Sequence, residues 1–324
     1  MGGAVPAVAF HDLEPVVSDF ETDVVAGLSR SRKELASKYF YDERGSELFH
    51  EICGLEEYYP TRAEMEILEA KGGEIGVHAG ANATLVEFGS GNNLKIRTLL
   101  KELEAPAAYV AIDISRDYLI KAAQDLLSHH PSLEVVAVCA DYTEPLELPA
   151  IEGGVAGDRL GLFFGSTIGN LNPVQAHRFL ALAAGVLEAG AAMLVGVDLK
   201  KDPAVLDAAY NDAKGVTAAF NLNLLVRINR ELGGDFDLAG FAHAAHYDAA
   251  QGRIEMHLRS LREQTVEVAG QRFAFEAGET IHTENSYKYA LGEFQTLAKA
   301  AGFTAEAVWT DRKTRFSLHL LRVR

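Results

Sequence analysis

Short apolar runs alternate with amphipathic stretches from about residue 83 onward. The runs are bounded by Gly or Asp and lie at Thr84–Phe88, Ala108–Ile112, Val135–Cys139, Leu160–Phe164 and Ala192–Val197. Between and after them, apolar residues recur at three- and four-residue spacing, which predicts helices over Leu94–Leu103, Ser115–His129, Pro173–Leu187 and Pro203–Phe220. Apolar strands that are each followed by a helix are typical of a parallel sheet covered on both faces. The pattern therefore predicts an α/β fold with a doubly wound sheet.

Two regions depart from this alternation. Residues 1–60 are predicted to be largely helical, with aromatic residues concentrated at Tyr39–Tyr41 and Tyr58–Tyr59. Within residues 200–285, every second residue is apolar in Arg253–Arg259 and Gln271–Glu276, which predicts antiparallel strands with one solvated face.

The C-terminal tail Arg315–Val323 alternates in the same way and is expected to close the sheet as an edge hairpin strand. We therefore predict two domains. A nucleotide-type domain covers residues 61–199 and 286–324, and a discontinuous α+β domain covers residues 1–60 and 200–285.

Composition narrows the class of protein. Apolar residues make up 48% and charged residues 23% of the 324-residue chain, as in ordinary globular proteins. The formal net charge is −16, which disfavours partners with phosphate backbones or anionic lipid surfaces, so neither nucleic acid nor membrane is expected. Two cysteines build no disulfide framework, and the first residues lack the pattern of a signal peptide. A cytoplasmic protein is expected.

Three successive strand ends bear residues that suit an adenosine-containing cofactor. The first strand ends in Gly89-Ser-Gly91, where backbone can approach a ligand before a helix begins. Asp113 ends the second strand, where a carboxylate accepts hydrogen bonds from both ribose hydroxyls. Asp141 and Tyr142 follow the third strand and are suited to the amine and the face of adenine. Together these positions predict adenosine binding.

The residues around the glycines favour a methyl donor over a dinucleotide. The dinucleotide fingerprint needs a third glycine where this chain has Leu94, which argues against a nicotinamide-dependent oxidoreductase. A P-loop is excluded because the loop does not end in Gly-Lys-Ser/Thr. Glu87, two residues before Gly89, matches the methyltransferase pattern of an acidic residue before the glycines. S-adenosylmethionine is therefore the expected cofactor.

Eleven histidines raise the question of a metal site. His243 and His246 are predicted to share a helical face, which makes them a candidate ligand pair. No cysteine or carboxylate joins them at ligand spacing, and methyl transfer requires no metal. We therefore expect no metal.

Long motifs spread over the chain resemble the histidine-specific methyltransferases of ergothioneine biosynthesis. The motifs are Tyr39–Phe49, Glu57–Glu64, Gly89–Lys95, Phe164–Leu171, Tyr210–Asp212, Gly215–Asn221, Ile228–Leu232 and Thr283–Ser286. They occur in the same order as in the family, and the resemblance extends from about residue 20 to the end. It implies a Rossmann-like class I methyltransferase fold with a second, substrate-binding domain. It also implies three successive N-methylations of histidine to its betaine, hercynine.

The resemblance assigns residues to two groups. The cofactor residues that it implies are Gly89, Lys95, Asp113, Asp141 and Tyr142. The substrate residues that it implies are Tyr41, Tyr58, Gly165, Asn170, Tyr210, Glu284 and Ser286.

Three of the substrate residues are expected to serve the reacting end of the amino acid. Asn170 and Tyr210 are expected to hold its amine and carboxylate, and Tyr41 to orient the amine and shelter a growing cationic head. These three residues are the predicted catalytic set.

Glu284 and Ser286 are expected to contact the imidazole. Two residues apart on an extended segment, they point to the same side, where Glu284 accepts from one ring N–H. The Ser286 hydroxyl can donate to, or accept from, the other nitrogen. Two alternatives stay open: another free amino acid or a histidine derivative as substrate, and a catalytically silent adenosine-binding homologue. We expect a monomer.

Overall fold

The structure, a computed structural model, describes residues 8–13, 15, 19–91, 93–150 and 159–324. These residues form two compact units. The first unit takes its described residues from 1–16, 62–199 and 289–324, and the second from 17–61 and 200–288.

An eight-stranded sheet forms the centre of the first unit. Its strands are β1 (Ala9–Asp12), β3 (Thr84–Phe88), β4 (Ala108–Asp113), β5 (Glu134–Cys139), β6 (Arg159–Phe163), β7 (Ala192–Asp198), β13 (Phe303–Thr310) and β14 (Phe316–Val323). Their spatial order is β1-β5-β4-β3-β6-β7-β14-β13. All neighbours pair in parallel except β14, which runs antiparallel to β7 and β13. The predicted doubly wound α/β fold and its five predicted strands are confirmed.

Helices alternate with most strands of this sheet along the chain. They are α3 (Pro60–Ala79), α4 (Leu94–Leu100), α5 (Arg116–His129), α6 (Pro173–Leu187) and α9 (Leu291–Ala300). Helix α6 begins and ends where the sequence predicted. Its start is fixed by a capping box, in which the Asn172 side chain accepts from the Gln175 N–H and the Gln175 side chain accepts from the Asn172 N–H. Pro173 occupies the first helical turn, where a missing N–H costs nothing.

The prediction for the C-terminal tail was wrong in one respect. Strand β14 lies between β7 and β13 and is not an edge strand; β13, which the sequence pattern did not reveal, is the edge. The alternation of polar residues suggested a solvated face, yet Ser317 and His319 are both fully buried. The Ser317 hydroxyl contacts His319 Nε2 at 3.0 Å and Val197 O at 3.2 Å, whereas His319 Nδ1 has no hydrogen-bond partner among the described residues.

The N-terminal region also differs from its prediction. Residues 1–60 were assigned to the second domain, whereas β1 pairs in parallel with β5 in the large sheet. Four residues carry too weak a pattern to reveal a strand when their pairing partner lies more than a hundred positions away. Residues 1–7, 14 and 16–18 of the predicted range lie outside the described residues.

The second unit contains a four-stranded sheet in the order β2-β12-β9-β8 and a separate hairpin, β10-β11. The strands are β2 (Lys33–Glu34), β8 (Phe241–Asp248), β9 (Arg253–Ser260), β10 (Gln264–Val268), β11 (Gln271–Phe275) and β12 (Thr280–Tyr287). The helices are α1 (Phe20–Leu28), α2 (Glu43–Cys53), α7 (Pro203–Tyr210) and α8 (Val216–Leu232). Strand β9 pairs antiparallel with β8 and β12, and β11 pairs antiparallel with β10, which confirms the predicted antiparallel strands.

The predicted helix Pro203–Phe220 is wrong, because the chain forms two helices there. Gly215 adopts a left-handed conformation, with φ 72°, immediately before α8. The Asp212 side chain accepts hydrogen bonds from the Val216 and Thr217 N–H groups at 2.9 and 2.8 Å and so fixes the start of α8.

His243 and His246 lie on strand β8, not on a helix, so they do not share a face. Residues three apart on a strand point to opposite sides. In the part of the chain that the structure describes, no group of three or more His, Cys, Asp or Glu residues is placed to hold a metal ion. No helix among the described residues is both long and apolar enough to cross a lipid bilayer.

Asp42 connects the motif at residues 39–49 to helix α8. Its side chain accepts from the Gly45 N–H at 2.8 Å, which caps α2, and from Asn223 Nδ2 at 2.8 Å. Arg230 donates to its second oxygen at 2.8 Å. These contacts hold the pKa of Asp42 below its usual value despite partial burial.

Candidate active site

The glycine turn and the two acidic strand ends lie on adjacent strands of the first unit. Strands β3, β4 and β5 are neighbours and run in parallel, so their carboxyl ends meet at one edge of the sheet. Gly89 has a φ of 77°, and its N–H donates to Ile112 O at 2.8 Å, which holds the turn against the end of β4. The fold therefore brings Gly89, Asp113 and Asp141 to the same edge.

Asp113 is a carboxylate with no cationic partner among the described residues. It accepts main-chain hydrogen bonds from Ser115, at 2.8 Å, and from Ile114. Burial raises its pKa to about 6, because these hydrogen bonds offset only part of the cost of desolvating the charge. A desolvated acceptor at this position suits a ligand that brings its own hydroxyl donors, such as a ribose.

Tyr142 packs beside the glycine turn. A Cβ atom at Gly89 would lie 3.4 Å from Tyr142 Cε1, so the absence of a side chain there leaves the ring in contact with the turn. The ring is held edge-on by Phe163 and Phe179, with centroid distances of 5.8 and 5.6 Å. Beside it, Asp141 accepts from the Thr143 N–H at 2.9 Å. An aromatic face, two carboxylates and an open glycine turn fit the chemistry of an adenosine-type cofactor.

Glu87 is buried under the same edge. It accepts a short hydrogen bond from the Tyr109 hydroxyl on β4. Burial raises its pKa to about 7, and Lys95 opposes that shift. Tyr109 is a partner that the sequence pattern gave no reason to select, since only the pairing of β3 with β4 places it beside Glu87.

Lys95 forms a buried ion pair with Glu64 of helix α3. The two atoms Nζ and Oε2 are 2.6 Å apart, and Glu64 is fully buried. Both Glu64 oxygens also accept from the Gly165 N–H at 3.0 Å. A Cβ atom at Gly165 would lie 3.3 Å from Lys95 Nζ. The pair thus joins the helix after the glycine turn to the loop after β6.

We expect Lys95→Met to lower the free energy of unfolding by about 3–5 kcal/mol, because it leaves the Glu64 carboxylate buried without its cation. Lys101→Met, at the exposed end of the same helix, is the matched control and should change stability by less than about 0.5 kcal/mol. Urea denaturation followed by circular dichroism measures both. Equal losses in the two variants would contradict a structural role for the ion pair.

The loop after β6 also contains Asn170. This residue ends a 3₁₀ turn over Thr167–Asn170 and is partly exposed. Its side-chain amide makes no hydrogen bond to another described residue. Gly165 and Asn170 both belong to the first unit, as do all five predicted cofactor residues.

The other predicted substrate residues lie in the second unit, where three tyrosines are joined by ring contacts. Tyr41 meets Phe49 and Phe220 edge-on, with centroid distances of 5.6 and 5.9 Å. Tyr58 meets Phe49 at 6.4 Å and Tyr210 at 6.3 Å. The structure thus brings Tyr41, Tyr58 and Tyr210 into one aromatic cluster, whose ring faces can stabilise a cationic group.

Glu284 and Ser286 point to the same side of β12, as expected two residues apart on a strand. Tyr210 donates to the Ser286 hydroxyl at 2.8 Å. Burial raises the pKa of Glu284 to about 7, with Lys288 opposing the shift. A β-bulge between His282 and Glu284 changes the register just before these residues.

Sequence reasoning missed two charged residues that the structure adds. Glu64 was recognised as part of a motif but given no role. Lys288 is 2% exposed, and its Nζ lies 2.8 Å from Ser286 Oγ and 3.2 Å from Tyr210 Oη. Continuing the alternation from Glu284 and Ser286 by one step would have placed Lys288 on the same face of the segment.

Comparison with known proteins gives closely agreeing results. A family model described as "Histidine-specific methyltransferase, SAM-dependent" matches residues 20–323. The chain is 42% identical over 304 residues to the histidine N-alpha-methyltransferase of Mycolicibacterium smegmatis, which covers 92% of this chain and 93% of that protein. The chain is 43% identical to the histidine N-alpha-methyltransferase of Mycobacterium tuberculosis, again over 92% of this chain and 93% of that protein. Identity to ergothioneine biosynthesis protein 1 of Neurospora crassa is 31%, covering 89% of this chain and 33% of that protein.

Proposed function

Because the chain belongs to the family of histidine-specific, S-adenosylmethionine-dependent methyltransferases, we propose that it methylates the α-amino group of free L-histidine. Three successive transfers yield the trimethylammonium betaine, hercynine, in ergothioneine biosynthesis. The observation that supports the substrate most directly is the placement of Glu284 and Ser286 on one face of β12, beside Tyr210.

Methyl transfer to an amine is an in-line displacement that needs a neutral amine in a fixed orientation. S-adenosylmethionine, when bound, supplies an electrophilic methyl group. In our proposal Gly89, Asp113, Asp141 and Tyr142 hold its adenosine part, because they provide a glycine turn, two acceptors and an aromatic face. Lys95 acts on this site through the Glu64 ion pair, which fixes the helix that follows the turn.

In our proposal, polar groups and aromatic rings together hold the amino acid. Asn170 offers an amide and Tyr210 a hydroxyl for the carboxylate and amine, and positioning of this type supplies several kcal/mol of a barrier. Tyr41, 39% exposed, presents its ring to the amine. As methyl groups accumulate, the nitrogen becomes permanently cationic, and the rings of Tyr41 and Tyr58 stabilise that charge.

Glu284 selects the side chain of the substrate. An ionised carboxylate accepts the imidazole N–H, and burial makes that hydrogen bond stronger than it is in water. Sites that bind substrate N–H groups reject analogues that lack them, because buried polar groups are then left unpaired. In this proposal Gly165 forms part of the substrate loop and Ser286 contacts the second ring nitrogen.

An equimolar mixture of the twenty amino acids with methyl-labelled S-adenosylmethionine tests the substrate. We expect label in histidine, with every other amino acid at the level of an enzyme-free control. If another amino acid is labelled and histidine is not, that amino acid is the substrate. If the protein binds S-adenosylhomocysteine but labels no amino acid, it is a catalytically silent homologue.

The proposal extends to the setting of the enzyme. The partner is a small amino acid, and the strongly acidic surface suits neither nucleic acid nor anionic membranes. We propose a monomer located in the cytoplasm, where cysteine thiols persist without forming a disulfide.

A further inference from the structure

Lys288 is a buried cation beside the proposed imidazole site. Lysine is almost never fully buried unless its ammonium is paired or hydrogen-bonded. Here the side chain is 2% exposed, and its Nζ donates to Ser286 Oγ at 2.8 Å and Tyr210 Oη at 3.2 Å. It also lies 5.0 Å from the centre of the Tyr210 ring. The ammonium is thus directed at the two hydroxyl groups of the substrate site in the second unit.

The hydrogen bonds at Ser286 decide what its hydroxyl can offer to a ligand. A serine hydroxyl has two acceptor lone pairs and one donor hydrogen. An ammonium is a donor only, so Lys288 occupies one lone pair. Tyr210 donates to the other at 2.8 Å. The remaining capacity of Ser286 is its hydrogen, which makes it a donor toward the substrate.

We propose that Lys288 is a specificity-determining residue that turns Ser286 into an obligate hydrogen-bond donor, so that the site binds only neutral imidazole in a single tautomer. This inference rests on the proposed function. Glu284 accepts the one N–H of the ring, and Ser286 donates to the unprotonated nitrogen. An imidazolium has two N–H groups and no acceptor, so one N–H would oppose the Ser286 hydrogen.

The surrounding charges act in opposite directions on a protonated ring. The Lys288 ammonium disfavours a second positive charge beside it, whereas the Glu284 carboxylate favours one, so the hydrogen bonds at Ser286 decide which form of the ring fits. Among the neighbouring titratable groups, Tyr58 interacts electrostatically with Glu284 and also with Tyr210, Cys53 and Tyr41, and His243 Nε2 contacts Tyr210 O at 2.8 Å. All of them act equally on any substrate that carries one ring N–H and one ring acceptor. A comparison between two such substrates therefore isolates the protonation of the substrate ring.

Histidine and 1,2,4-triazol-3-ylalanine form such a pair, because the carbon-linked triazole keeps one ring N–H and a ring acceptor, adds one further ring nitrogen, and is far less basic than imidazole. The measurement is the ratio of kcat/KM for histidine to that for triazolylalanine between pH 7.5 and 5.5. We expect the ratio to fall about tenfold as the imidazole protonates around its usual pKa of about 6.5. Ionisation of the α-amine and of Glu284 affects both substrates alike and cancels in the ratio.

Substitution of Lys288 tests whether this residue causes the fall of the kcat/KM ratio at low pH. In Lys288→Met, Ser286 regains a lone pair and accepts from imidazolium, so the ratio should change less than about twofold over the same pH range. Lys288→Arg keeps a cationic donor and should keep the tenfold fall. Lys299→Met, at an exposed position of α9, should behave as the unsubstituted protein. Circular dichroism establishes that each variant is folded.

The outcomes separate this inference from the proposed function. If the unsubstituted protein methylates histidine with a ratio independent of pH, the donor role of Ser286 is wrong although the function stands. If Lys288→Met keeps the tenfold fall, Lys288 does not set that role. If neither substrate is methylated, the proposed function itself fails.

Discussion

Replacing Asp113 with Ala is expected to weaken binding of S-adenosylhomocysteine by at least about 100-fold. Hydrogen bonds to a charged group contribute about 1.5–3 kcal/mol each, and a ribose offers two hydroxyl donors, so loss of both corresponds to about 3–6 kcal/mol. The carboxylate has no cation among the described residues, and burial raises its pKa to about 6, so hydroxyl donors from a ligand would offset part of its desolvation. Isothermal titration calorimetry measures the affinity.

Two further variants make the Asp113 experiment specific. Asp117→Ala, four residues later at an exposed position of α5, should leave affinity within about twofold. Asn170→Ala should keep cofactor affinity but raise the KM for histidine, because its amide is assigned to the amino acid. If Asp113→Ala and Asn170→Ala lost cofactor affinity equally, the division between cofactor and substrate residues would be wrong.

Replacing Glu284 with Met is expected to lower kcat/KM for histidine by about 100-fold or more. The substitution removes the proposed acceptor of the imidazole N–H and leaves that N–H against an apolar methionine side chain, which sites of this type penalise strongly. Activity toward amino acids with apolar side chains should rise relative to histidine, because an apolar side chain no longer faces a buried carboxylate. Steady-state kinetics with histidine and with leucine or phenylalanine measures the shift.

Matched variants define the role of Glu284. Glu284→Gln keeps the size and an acceptor oxygen but loses the charge, so its loss should be smaller than that of Glu284→Met. Glu263→Met, at an exposed position before β10, should retain kcat/KM within about twofold. An unchanged preference for histidine in Glu284→Met would remove Glu284 from the imidazole site.

The residues at the strand ends were predictable from the sequence because their positions depend on short, local patterns of apolar residues. An apolar run fixes where a strand ends, and parallel pairing brings successive ends to one edge, so Gly89, Asp113 and Asp141 could be grouped without a structure. The alternation of a strand likewise places Glu284 and Ser286 on one face. Both inferences need only the period of the pattern and the direction of the strands.

Contacts between distant segments could not be predicted in this way. The partner of Lys95 is Glu64, which lies on a different helix, and no periodic pattern connects them. Strand β13 and strand β1 add to the sheet through pairings that composition does not specify. The break at Gly215 was missed because apolar spacing continues across it, while the left-handed residue and the Asp212 cap interrupt the helix.

Burial explains the remaining differences. From the sequence, Ser317 and His319 are expected on the solvated face of an edge strand. In the structure they lie in a central strand, where they are hydrogen-bonded to each other. Lysine is typically a surface residue, whereas Lys288 is buried. Its proposed role depends on two hydroxyl groups that folding brings to its ammonium. Polar residues in buried places are the ones for which hydropathy patterns mislead.

The most direct test of the account is the mass and fragmentation of the product from histidine. The purified protein is incubated with L-histidine and excess S-adenosylmethionine, and the products are followed with time. We predict successive gain of one, two and three methyl groups, all on the α-nitrogen, ending in hercynine with no methyl on the ring. Unchanged histidine, or methylation confined to the imidazole, would contradict the account.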